Sequence, residues 1–86
     1  DLSYTSVGDE TVKALSNGIE KLMLCSCKEI TDRSAVKFGQ MTALKILDLS
    51  TTSIGDATVF ALSNAIEKLW LNNCPEITDG LAVKFG

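Results

Sequence analysis

Histidine is absent from the 86 residues, proline and tryptophan occur once each, and there are three cysteines. The lack of histidine removes the commonest zinc ligand and the usual general base. Three cysteines, Cys25, Cys27 and Cys74, are an odd number and too few for a disulfide framework. No apolar run approaches the roughly 18 residues of a membrane span, and no basic-then-apolar leader opens the chain. An Asn-x-Ser/Thr glycosylation acceptor is also missing. Acids outnumber bases, 11 to 8, for a net charge of −3, and the two signs are interspersed. That balance lacks the basic stripe that phosphate neutralisation needs, which disfavours nucleic acid and an anionic membrane surface as partners. The few cysteines and the missing glycosylation acceptor lead us to expect a reducing, intracellular setting, cytoplasmic or nuclear.

What is present is a composition of 45% hydrophobic and 22% charged residues, suited to one small folded domain spanning 1–86. The chain also repeats itself. Asp1–Gly39 aligns without gaps on Asp48–Gly86, an offset of 47, with 28 of 39 pairs identical. This long unit divides again. Leu22-x-Leu24 is followed by Cys27 and Ile30, Leu47-x-Leu49 by Thr52 and Ile54, and Leu69-x-Leu71 by Cys74 and Ile77. Leu2, Thr5 and Val7 read as the tail of an earlier copy. Two full units, 19–42 and 43–65, therefore lie between partial units at 1–18 and 66–86. Unit lengths of 24 and 23 fall in the range of leucine-rich repeats.

Each unit has a physical reading. In KLMLC, ILDLS and KLWLN the leucines alternate with other residues, so they share one face of a short strand. Asp9, Asp32, Asp56 and Asp79 then stand where a helix N-cap belongs. Val12/Leu15, Ala35/Phe38, Val59/Leu62 and Ala82/Phe85 are spaced to face one side of a helix. Gly18, Gly39 and Gly86 read as helix stop signals. Strand, turn, helix and turn make one coil of a right-handed solenoid, which buries its leucines only by stacking on its neighbours.

CKEITDRSAVKF and CPEITDGLAVKF resemble the Cys-x-x-Ile-Thr-Asp stretch of cysteine-containing leucine-rich repeats, a family best known from F-box substrate receptors of ubiquitin ligases and found also in protist and plant proteins. The resemblance covers the whole chain. It implies an α/β leucine-rich-repeat solenoid of about three and a half coils, with parallel strands on a concave face and helices on a convex face. The sequence departs from the family at Thr5 and Thr52, which replace cysteine, and at Ala35 and Ala82, which replace leucine. These 86 residues themselves contain no F-box segment.

Cys27, Cys74, Thr5 and Thr52 share one position after the strand. Cys27 and Cys74 are two coils, about 10 Å, apart, beyond the reach of a disulfide. Buried groups bonded to turn backbone are the expectation, with no metal and no cofactor. The recurrence of the aspartates argues against catalysis, since a catalytic group occupies a unique place, and the chain reads as a non-enzyme.

The concave strand positions remain: Asp1 and Ser3, then Lys21, Met23, Cys25, Ile46, Asp48, Ser50, Lys68, Trp70 and Asn72. Three of them, Met23, Ile46 and Trp70, are large and apolar where exposure is expected, and tryptophan is enriched in interface hot spots. Such a face suits a protein or peptide partner, and the family resemblance extends this to a substrate destined for ubiquitination. A structural or regulatory scaffold within a large assembly is the second expectation. Neither end carries an evident cap, so further repeats or partner chains are expected to cover both ends.

Overall fold

A computed structural model describes residues 1–78. Asp79, Ala82, Phe85 and Gly86 lie outside the described residues.

The leucine alternation produces three short strands, β1 (Lys21–Met23), β2 (Ile46–Asp48) and β3 (Lys68–Trp70). They form one parallel sheet in the order β1-β2-β3. The register sets Lys21 beside Ile46 and Lys68, Leu22 beside Leu47 and Leu69, and Met23 beside Asp48 and Trp70. Equivalent repeat positions therefore become spatial neighbours. Leu2 and Tyr4 extend the same ladder at its other edge, their N–H groups donating to Met23 O at 2.9 Å and Cys25 O at 2.8 Å.

The connections carry α1 (Asp9–Lys13), α2 (Ala35–Gln40) and α3 (Asp56–Ala61), with a 3-10 turn over Asp32–Ser34 leading into α2. Helices of five or six residues are too short to be stable alone, so packing must hold them. Their inward residues, Val12, Phe38 and Val59, together with Leu62 just after α3, meet Leu22, Leu24, Leu47 and Leu49 in a single core. Ile30, Ile54, Met41 and Leu44 fill it from the turns. Leu69 and Leu71 of the last strand segment are only partly buried against this core. The result is a small mixed fold of helices and parallel strands.

Two local readings of the sequence need correction. Gly39 lies inside α2, Gly18 falls beyond the Ala14 cap of α1, and no described glycine has a positive φ. The left-handed positions are instead Tyr4, Ser26, Thr51 and Asn73, with φ between 58 and 64°. Each directly precedes Thr5, Cys27, Thr52 or Cys74, so the chain turns sharply after the strand rather than after the helix. The second correction concerns the aspartates. Asp9 and Asp56 are the first residues of their helices, whose N-caps are Gly8 and Gly55 with no side-chain cap. At the third site Thr31 is the cap, its hydroxyl accepting from Arg33 N.

Freed from capping their own helices, the carboxylates reach forward to the next repeat. Asp9 accepts from Thr31 N at 2.9 Å and from the hydroxyls of Thr31 and Ser34, both at 2.6 Å. Asp32 accepts from Gly55 N at 2.8 Å, Thr58 N at 3.1 Å and the Thr58 hydroxyl at 2.6 Å. Asp56 accepts from the N–H and hydroxyl of Thr78. Thr58 N is one of the orphan amides in the first turn of α3, so Asp32 caps the helix of its neighbour. Burial pushes the carboxyls of Asp9 and Asp32 up. At Asp9 the hydrogen bonds from Ser34 and Thr31 outweigh it, and at Asp32 those from Thr58 and Gly55 do, so both groups lie below the ordinary carboxylate value.

A candidate partner-binding face on the sheet

Strand alternation puts Lys21, Met23 and Cys25 opposite the buried Leu22 and Leu24, and the same pattern recurs in β2 and β3. Three cross-strand rows result. The first reads Lys21–Ile46–Lys68 and the second Met23–Asp48–Trp70. Cys25, Ser50 and Asn72 follow in the third. Trp70 is 40% exposed, Lys21, Lys68 and Asn72 are exposed, and Met23, Cys25, Ile46 and Asp48 are partly buried. Asp1 is exposed and Ser3 partly buried.

Ser50 departs from expectation. It is buried, because its hydroxyl accepts from Asn72 N at 3.1 Å. Its repeat mate Ser3 accepts from Cys25 N at 3.0 Å in the same way. Both serines thus extend the ladder where the strands end, which takes Ser50 out of any contact surface. The paired aspartates work locally too, Asp48 Oδ1 accepting from Ser50 N and Asp1 Oδ1 from Ser3 N, each at 2.9 Å. An Asp-x-Ser pair of this kind closes an Asx turn.

Tyr4 went unnoticed in the sequence, where it stands among turn residues. It is 79% exposed and borders this face beside Cys25. The adjacent Cys25 thiol is the main cause holding its phenol above the ordinary value, with desolvation and the charge of Asp48 adding to it. A signal did exist: Tyr4 and Thr51 are one of the eleven mismatched pairs in the long repeat.

At the Cys/Thr position Cys27, Thr52 and Cys74 are buried as the spacing implies, whereas Thr5, with no described coil stacked beyond it, is exposed; all four bond to turn backbone, with an added pairing. The Thr5 hydroxyl donates to Leu2 O at 2.6 Å and the Cys27 thiol to the same oxygen at 3.1 Å. Thr52 and Cys74 repeat this on Leu49 O, at 2.7 and 3.1 Å. All three cysteines are free thiols. Among the described residues, no three histidine, cysteine, aspartate or glutamate side chains gather to hold a metal ion, and no helix is long and apolar enough to cross a membrane.

Compared with protein-family models, curated proteins and solved structures, the chain matches none of them.

Proposed function

We propose that the chain is a segment of a leucine-rich-repeat solenoid that binds a protein or peptide on its strand face, with Trp70 and Met23 as apolar anchors. The observation that carries this reading is the second row. Trp70 is the chain's only tryptophan, and it stands 40% exposed on a sheet whose opposite face is the core. An aromatic in that setting costs solubility unless a partner covers it. Met23, two strands away, continues the same ridge. The solenoid reading is supported by the in-register parallel strands, the repeated turn and the forward-reaching aspartates, all recurring at repeat spacing.

Binding is favoured over catalysis by the way the recurrent acids are engaged. Asp9 and Asp32 each accept three hydrogen bonds from the next repeat, which gives them a structural task. The resemblance to F-box substrate receptors would make the partner a protein destined for ubiquitination. An F-box segment encoded upstream in the full-length gene is the check on that extension.

The test compares partner capture by wild type and Trp70→Ala in the full-length protein, with circular dichroism as the folding control. Truncating an interface tryptophan costs about 2 kcal/mol of binding or more. A partner lost while the fold survives supports the strand face. Unchanged capture rejects it and favours a scaffold that uses other surfaces.

A further inference from the structure

We infer that the strand face selects an acidic segment: a stretch in which apolar side chains lie between two carboxylates about 10 Å apart. This deepens the reading of the strand face as a binding surface and rests on it.

The first row supplies the charge. Lys21 and Lys68 flank Ile46 in register, so the lysines are two strand spacings apart, about 10 Å. Both are exposed, and neither makes an ion pair among the described residues. The single ion pair there joins Lys13 and Glu10 at 3.5 Å, on the helix α1. The chain as a whole is acidic, at −3, yet this row holds two cations, without an ion pair among the described residues, around an aliphatic centre. A lysine can lay its apolar stem along Ile46 and still direct its ammonium toward an incoming carboxylate.

The second row sets the orientation. Asp48 lies between Met23 and Trp70, one residue pair farther along the strands. Its charge repels a carboxylate placed over the apolar ridge and leaves the lysine row as the favourable seat. The ligand's apolar groups then fall on Trp70 and Met23. One arrangement satisfies both rows, whereas a basic or neutral segment satisfies only the second.

In the other cluster of cations both lysines are already engaged. Lys13, Arg33 and Lys37 line a shallow depression beside α1 and α2. There the Lys37 ammonium donates to Leu15 O at 2.5 Å and to Asn17 Oδ1 at 2.7 Å, and Lys13 faces Glu10. Among the described residues, the lysines of the strand face have no such partners.

The experiment selects a displayed library of random short peptides against the chain, then measures the enriched peptides by the fluorescence of Trp70, the sole tryptophan. The expected result is enrichment of paired acids separated by apolar residues. Their affinity should fall about tenfold in Lys21→Glu/Lys68→Glu and fall again with added salt. Trp70→Ala, followed by calorimetry, should weaken the same peptides. Enrichment of neutral or basic peptides, or of none, overturns the acidic preference. If such neutral or basic binders still need Trp70, the strand-face reading survives its refinement. If every binder ignores both variants, the two fall together.

Discussion

Thr52 and Cys74, 22 residues apart, converge on one acceptor, the carbonyl oxygen of Leu49, at 2.7 and 3.1 Å. The hydroxyl reaches back within its own repeat, and the longer-reaching thiol crosses from the next one. Each carbonyl has two lone pairs, so the pair saturates it. Thr5 and Cys27 do the same on Leu2 O, which gives the 47-residue period a physical unit of two repeats sharing one oxygen.

Thr52→Val should therefore destabilise the chain, because it keeps the shape and deletes the donor. Thr52 is 2% exposed, so the loss is uncompensated by water, and about 1–2 kcal/mol is expected. Thr52→Ser should cost less, since the hydroxyl survives. Urea midpoints of the three proteins decide it. Equal midpoints for Val and Ser would show that the hydrogen bond contributes nothing.

Asp32→Ala is expected to be more damaging than either. It removes the shared acceptor of Gly55 N, Thr58 N and the Thr58 hydroxyl, and Thr58 is fully buried. Stranding buried donors costs about 1–3 kcal/mol for each group affected. Glu10→Ala is the control, an exposed acid whose repeat mate is already Ala57. Hydrogen exchange should show the loss at the Gly55 and Thr58 amides first. Protection unchanged at both amides would contradict the cross-repeat cap.

Much of this arrangement was legible in the sequence. The leucine period of two located the strands and their buried face, and the self-alignment put Met23 and Trp70 in one row. The aspartates were found by recurrence but given the wrong task. A cap within a repeat and a cap onto the next repeat have the same sequence spacing, and only stacking distinguishes them. Gly39 misled for a related reason. The sharp turn sits after the strand, where Tyr4, Ser26, Thr51 and Asn73 adopt left-handed backbone without any glycine to mark it. Ser50 looked exposed by alternation alone, and its hydrogen bond to Asn72 N was invisible until the strands were paired.

Acid should weaken the fold through the same carboxylates. Asp9 and Asp32 both titrate below their ordinary value in the folded chain. A depressed folded pKa contributes stability that is present above the unfolded pKa and is lost as pH falls through the folded one. Stability should therefore hold from neutrality down to about pH 4, near the unfolded carboxylate value, and decline below it. An Asp9→Asn/Asp32→Asn double variant should be less stable at pH 7 yet show a shallower acid decline. Urea midpoints measured from pH 7 to pH 3 give both slopes, and parallel slopes would remove these two groups from the acid response.

Two glycine substitutions should move stability in opposite directions. A Cβ on Gly55 would lie 2.9 Å from Asp32 Oδ2 and 3.0 Å from Glu76 O. The first contact disturbs the cross-repeat cap, and the second is backbone that cannot swing aside. Gly55→Ala should cost about 1–3 kcal/mol, the usual range for an overpacked site. At Gly18 the nearest atom to a new Cβ is Ser16 Oγ at 3.5 Å, an ordinary contact, and φ is not left-handed. Gly18→Ala should stabilise by about 0.4–1 kcal/mol by restricting the unfolded chain. The sequence already contains half of this comparison, since the repeat mate of Gly18 is Ala65 while that of Gly55 is Gly8. Thermal melts of the two variants test the contrast. A Gly55→Ala protein as stable as Gly18→Ala would mean that adjacent repeats are not packed this closely at Gly55.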